Sequence, residues 1–344
     1  MDRHISIATL QLDVTPASVS ERLARAEKLV TQAAQAGAQP IVLPEVFNTG
    51  YAYRDENFTL AESPGGPTST WMKHICARLG VHLAGSLFLR DGQDIYNALL
   101  LYAPDGRCWR YDKNYPWGWE RAYFRGRRQI TIAETDLGSI GLQICWDVAH
   151  ANLWQQYAGK IDLMLVCSCP PDIPDSIYHF PGGLQVTAEK MGPIFASLRL
   201  SARRVFVETP AQQTAWLGVP YVSSTACGTF HSPIPNPLGS FLGFLSAAPW
   251  LIRYLPQIRQ VELSASLVEA ARIIAADGRP LVGLRNEQGE AFVQAEVSIP
   301  AQRPRPCLPQ PRPPVPRLVY LVSDRLLTLV SLGTYARRPG RHKS

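Results

Sequence analysis

The chain has 344 residues, 46 % hydrophobic and 18 % charged, with a formal net charge of +6. That size and apolar content support a large core and exclude a disordered body. From Pro300 onward nine basic residues stand against one acid, so this end carries +8 and the body −2; a basic nucleic-acid groove across the fold is excluded. In chain order, residues 5–12 alternate and are β-branched, predicting a first strand. Over 17–36, Val19, Leu23, Ala26, Val30 and Ala33 recur at helical spacing and Gly37 follows, predicting a helix. Residues 41–46 form a short continuous apolar run, as in a strand covered on both faces. A second helix is predicted over 68–79, ended by Gly80, then strands over 81–89 and 96–102. Pro104-Asp105-Gly106 turns the chain into another strand over 108–113.

After a loop rich in Trp and Tyr, 129–133 and 138–145 predict a second strand pair. A helix is predicted over 147–159, a strand over 163–167, and a long helix over 184–204 broken at Gly192-Pro193. Further strands are predicted over 205–208, 219–223, 272–275, 280–283 and 291–297. The hairpins exclude a purely parallel doubly wound sheet and fit two mixed sheets packed face to face with helices outside each. Two segments fall outside this plan. Residues 238–252 are apolar, and residues 300–316 hold eight prolines and predict an extended, polyproline-like linker. The expected division is a main domain over 1–299, a Pro-rich linker over 300–317 and a basic, partly apolar tail over 318–344.

Three predicted strand tips carry chemically matched side chains. Glu45 ends Pro40-Ile41-Val42-Leu43-Pro44-Glu45. Lys113 ends Arg107-Cys108-Trp109-Arg110-Tyr111-Asp112-Lys113. Cys145 ends Gly138-Ser139-Ile140-Gly141-Leu142-Gln143-Ile144-Cys145 and precedes Trp146-Asp147. A thiol where a strand breaks into a helix projects from the rim of a sheet, beside backbone N–H groups that favour a thiolate. Singly, such a cysteine is more often an inert core residue, the glutamate a solvated one and the lysine part of a surface hairpin. Together, in this order and spacing, they resemble the nitrilase superfamily of carbon–nitrogen hydrolases, in an amidase or N-carbamoyl amidase-like form. The resemblance covers roughly residues 4–299. It implies a four-layer α-β-β-α sandwich and a homo-oligomer, with no cofactor.

Breaking an amide or nitrile requires a nucleophile, a proton shuttle and something to hold the developing negative charge. In the scheme the resemblance implies, Cys145 attacks the carbonyl or nitrile carbon, and Lys113 stabilises thiolate and oxyanion. The backbone N–H of Trp146 is the second oxyanion donor. Glu45 takes the thiol proton, delivers it to the leaving ammonia or amine, and then activates water against the thioester. Glu120 matches a glutamate that supports positioning or proton transfer in the family. His150 offers a competing Cys–His pair but belongs to no recognised motif. Many members carry Pro-Glu after Cys-Trp-Asp, whereas this chain has Val148-Ala149-His150, so substrate class does not carry over. Asp147 favours an amide or carbamoyl bond over a nitrile. Trp117, Trp119, Tyr123 and Phe124 read as an aromatic rim for a substrate with an apolar portion, or equally as an oligomer contact.

The seven cysteines are odd in number and irregular in spacing, which fits reduced, intracellular usage. Cys167-Ser168-Cys169 is too tight for a zinc pair, and no metal is expected. No secretory signal and no run of ~18 apolar residues is visible, so a cytoplasmic protein is expected. Residues 238–252 and the tail, 318–343, are candidates for peripheral contact with an anionic membrane. Three functions remain open: a hydrolase of linear amides, N-carbamoyl amides or nitriles; an N-acyltransferase using the same triad; and a non-enzymatic scaffold using the fold and tail for partner or membrane binding.

Overall fold

The computed structural model describes residues 2–196, 198–245, 248–306 and 309–338. Two mixed sheets face each other. The first takes strands Arg3–Asp13, Ile41–Val42, Leu83–Asp91, Asp94–Tyr102, Cys108–Asp112, Thr225–Cys227 and Ala291–Ile299. The second takes Ile132–Thr135, Gly138–Ile144, Leu163–Cys167, Tyr221–Ser223, Arg272–Ile274 and Pro280–Gly283. Ile7, Val42, Ala84, Leu99 and Leu101 of the first sheet share one core with Ile140, Leu142, Leu165 and Val222 of the second.

Helices cover the outer faces, giving the expected α-β-β-α layering. Helix Val19–Gln35 is capped by Ser18, whose side chain accepts from the Glu21 N–H. It buries Leu23, Ala26, Val30 and Ala33 against Leu10 and Leu12 of the first sheet, and helix Pro67–Leu79 adds Met72 and Ile75 to that layer. Helices Ala151–Tyr157 and Thr209–Leu217 bring Trp154, Tyr157 and Leu217 to the second sheet.

Three expectations need correction. The long helix predicted over 184–204 is a strand, Gln185–Thr187, followed by short helical turns. Gly192 adopts φ +107°, outside helical geometry, and Val186 is buried as its strand pairs with Ile177–His179. Those two strands join Thr229–Pro233 and Glu262–Ser266 in a third, four-stranded antiparallel sheet beside the sandwich. The strand predicted over 205–208 is a π-helical turn, Arg204–Glu208, running into helix Thr209–Leu217. Burial of Val205 and Phe206 on a helical face overrides their β propensity. The predicted run over 41–46 is a strand only at Ile41–Val42 and then becomes the loop that carries Glu45.

The segments beyond the sandwich are docked. Of the apolar stretch 238–252, residues 238–245 lie in helix Pro237–Leu245 and residues 249–252 in the 3-10 segment Pro249–Gln260, and Phe241, Ala248 and Leu251 are buried. Residues 300–306 and 309–316 run extended along the body, where Arg303 pairs with Asp162 at 2.9 Å and Gln310 Nε2 donates to Ala151 O at 2.8 Å. Residues 317–336 then form a helix with a π turn at Leu321–Leu326. It is tied down at both ends. Tyr320 Oη donates to Ala149 O at 2.6 Å, Tyr335 Oη donates to Asp94 Oδ1 at 2.9 Å, and Arg338 pairs with Asp94 at 3.0 Å. The expected tail is thus a wall of the body over 318–338. Its last basic residues, Arg341 and Lys343, lie outside the described residues, as does Cys307. Among the described residues no helix is long and apolar enough to cross a membrane.

Candidate active site

Glu45, Lys113 and Cys145 stand 32 or more residues apart in sequence and meet where the two sheets end. Each is placed by local structure. Glu45 lies in the loop after Ile41–Val42, and its N–H donates at 3.1 Å to the O of Ser168, the residue after strand Leu163–Cys167 of the second sheet. Arg22, buried on the first helix, donates through Nε to Phe47 O at 2.7 Å and through Nη1 to Asp13 O at 2.6 Å, holding that loop in place. Lys113 follows strand Cys108–Asp112, with its N–H on Asn97 O at 2.9 Å. Cys145 leaves strand Gly138–Ile144 at φ +48°, a left-handed conformation that costs a non-glycine residue on the order of 1–3 kcal/mol. The strain turns the strand directly into the 3-10 turn Cys145–Ala149 and directs the thiol into the cavity.

The polar groups form one dry network. Lys113 Nζ donates to Glu45 Oε1 at 2.8 Å and to Glu120 Oε1 at 2.8 Å, with side chains at 0 % and at most 3 % exposure. Asn97 Nδ2 donates to Glu45 Oε1 at 2.7 Å, and the Cys169 N–H donates to Oε2 at 3.0 Å. Glu120 takes the Trp117 N–H at 2.7 Å and the Tyr51 hydroxyl. The charges of Glu45 and Lys113 both act on the buried Cys145 thiol.

Burial pushes Glu45 up to about 7, against the downward pull of Lys113. Burial opposes the charge on Lys113, but Glu120 and Glu45 outweigh it and hold the ammonium protonated well above its ordinary range. The thiol's surroundings disfavour its ionised form at rest. Burial and then Glu45 push Cys145 well above its ordinary value, and Lys113 offsets only part of this. The resting site therefore holds a thiol, a carboxylate that ionises near neutrality and an ammonium in one buried cluster, a set able to supply a nucleophile, a base and a cation.

Asp147 has a structural task the sequence reading missed. Its carboxylate accepts from Tyr111 Oη at 2.7 Å and from the N–H groups of Tyr115 at 2.8 Å, Asn114 at 3.3 Å and Ile144 at 3.3 Å. It clamps the loop after Lys113 to the turn carrying Cys145. His150 is not paired with the thiol. It stacks on Tyr115 with ring centroids 3.6 Å apart and lies 3.7 Å from Asp324, and burial pushes it down to about 3. Of the expected aromatic rim, Trp117 and Trp119 line the cavity, while Tyr123 and Phe124 are buried against Phe58 and Phe88. Cys167 is enclosed in its strand, and Cys169 meets the cavity but serves Glu45 through its backbone. Among the described residues no cluster of His, Cys, Asp or Glu could hold a metal.

Residues 6–185, just over half the chain, match the carbon-nitrogen hydrolase family. The chain belongs to that family. It is 28 % identical over 279 residues to an omega-amidase of Xenopus tropicalis, a match covering 74 % of this chain and 91 % of that protein. It is 29 % identical over 147 residues to a nitrilase of Pyrococcus abyssi (strain GE5 / Orsay), covering 42 % of this chain and 56 % of that protein. Its fold is similar to the crystal structure of a CN-hydrolase superfamily protein of Xanthomonas campestris, with a TM-score of 0.62 at 19 % identity, covering 87 % and 91 % of the two chains. This carbon–nitrogen hydrolase carries Glu45, Lys113, Glu120 and Cys145 inside the matched region, whereas helix 317–336 lies beyond it.

Proposed function

We propose that this family member hydrolyses a linear amide or N-carbamoyl amide through a thioester on Cys145. The reading is carried by one observation: Glu45 and Glu120 share Lys113 in a buried cluster whose charges act on the buried Cys145 thiol. Substrate binding brings the carbonyl carbon to the thiol. Glu45 accepts the thiol proton as the C–S bond forms, while Lys113 and the Trp146 N–H bear the oxyanion charge. Collapse breaks the C–N bond, and the proton held by Glu45 leaves with ammonia or amine. Water then loses a proton to Glu45, attacks the thioester and releases the acid, restoring the thiol. Glu120 keeps Lys113 charged and in place throughout.

A panel of primary amides, N-carbamoyl amines and nitriles, read by ammonia release beside Cys145→Ala, tests this. Release from amides by the native chain but not the variant is expected. Release from nitriles alone, or activity surviving in the variant, contradicts it. Added amines read the acyl-transfer alternative through formation of a new amide. Light scattering on the same preparation reads the homo-oligomer that the resemblance implies. Peripheral membrane contact through 238–252 and 318–343 is proposed on the exposure of Leu238, Leu242 and Ile252 and of Leu321, Leu326 and Leu329 on neighbouring packed segments. Equal sedimentation of the whole chain with and without anionic vesicles contradicts it.

A further inference from the structure

The polar cluster meets the cavity only at its floor, through Tyr51, Glu120 and Cys145. Above Cys145 the space, about 360 Å³, falls in the range of sites that enclose a small organic ligand. Its walls come from segments remote from the triad. Tyr178 of the third sheet, Met191, Phe206 of the π turn and Phe244 line the outer sides. The C-terminal helix closes it with Leu318, Val319, Val322, Leu326 and Leu327. Among the described residues the lining holds one charged side chain, Glu120, and that carboxylate is committed to Lys113 and Tyr51. Among the described residues no lysine, arginine or histidine belongs to that lining, Lys113 being held within the polar cluster by Glu45 and Glu120.

The helix is fitted to this position. Trp146, next to the nucleophile, donates through Nε1 to Asp324 Oδ1 at 2.9 Å. Gly118, two residues before Glu120, lets the helix approach: a Cβ there would lie 2.8 Å from the Leu327 side chain. A substrate with a second charged end would bury that charge without a partner, which costs far more than the apolar contacts return. An alkyl or aryl group loses nothing there. The acyl part stays on Cys145 through both half-reactions, whereas the amine leaves after the first, so the enclosed space fits the acyl group.

We infer, resting on the amide-hydrolase reading above, that the substrate is a carboxamide whose acyl group is an extended, uncharged apolar chain, received between Cys145 and the C-terminal helix. Three measurements test this. The first is kcat/KM for straight-chain primary amides of increasing length. It is expected to rise by up to about fourfold per methylene until the cavity is full, then fall. An unchanged or falling value from the shortest amide onward overturns the inference. The second compares a chain-matched amide ending in a carboxylate with its alkyl counterpart; it is expected to be at least about a hundredfold poorer. Preference for the carboxylate overturns the inference and leaves the hydrolase reading intact. The third changes the wall. Val322→Trp is expected to move the optimum to shorter chains and Val322→Ala to longer ones; an optimum indifferent to both counts against the helix as the wall. If no amide is turned over at any length, the hydrolase reading fails by itself. Calorimetric binding of the same amides to Cys145→Ala then decides the cavity's preference: affinity that climbs with chain length supports it, and flat affinity overturns it.

Discussion

The floor and the walls of the cavity differ in origin as well as chemistry. The floor is built where strands of the two main sheets end, and every charge on it is paired: Glu45 and Glu120 on Lys113, with Asn97, Tyr51 and the Cys169 N–H filling the remaining positions. The walls are mostly apolar and come from Tyr178 of the third sheet, the chain around 170–174 and 198–206 with Met191, helix Pro237–Leu245 and helix 317–336. The family match, residues 6–185, contains the whole floor but not Phe206, Phe244 or the C-terminal wall. On the proposed reading, bond breaking rests on the floor, whereas substrate selection rests on walls of which a large part lies beyond the family match. Floor substitutions should lower turnover of every substrate alike, and wall substitutions should reorder substrates.

The largest effect is expected for Cys145→Ala, a loss of at least about a thousandfold in kcat on every amide, with the fold retained by circular dichroism. Lys113→Met leaves Glu45 and Glu120 buried without their cation, and unfolding titrations should show a loss of about 3–5 kcal/mol along with activity. Glu45→Gln removes the base, lowering kcat/KM by about 10²–10⁴. The native enzyme's pH profile carries the same information. Glu45 must be ionised to accept the proton, and burial holds it up to about 7, so kcat/KM should rise with pH through about 7 and level off above. That limb should vanish in Glu45→Gln. A profile already level from pH 5 would mean that the base is an ordinary solvated carboxylate.

Asp147→Asn turns an acceptor of four donors into a group with two donors of its own; denaturant unfolding should show a loss of about 2–4 kcal/mol. The smallest effect belongs to the wall. Trp146→Phe breaks the link to Asp324, and stability should fall by about 1–2 kcal/mol, with a larger change in preference among amides than in turnover of the shortest one. Equal losses on all amides would erase the distinction between floor and wall.

Glu45, Lys113 and Cys145 could be singled out together because each ends a strand-like run in the sequence, a local pattern, and the order of Glu, Lys and Cys is specific. The layering was legible from helix Val19–Gln35 and the hairpin of Asp94–Tyr102 with Cys108–Asp112. Two further signals were present in the sequence: Arg22 interrupts the apolar face of the first helix, and Asn97 interrupts an apolar strand. Each turns out to fix Glu45 or its loop. The rest depends on contacts distant in sequence. Val205-Phe206-Val207 has strand chemistry and becomes helical only because the second sheet lies against it. The Pro-rich segment and basic tail read as appendages because nothing local reveals that Tyr320 meets Ala149, or that Asp324 meets Trp146, 178 residues away. The upward push on the thiol was not legible for a similar reason. Strand-end N–H groups are visible in sequence, but full enclosure of the sulfur beside two carboxylates is not.

The central claim is that the sulfur at position 145 takes the acyl group. Rapid quenching during amide hydrolysis, followed by intact-mass measurement and peptide mapping, addresses it directly. The account predicts one acyl group per chain, on the peptide holding Cys145, absent from Cys145→Ala. An acyl group on Cys167 or Cys169, or turnover with no covalent adduct at any quench time in the native chain and in Glu45→Gln alike, would contradict it.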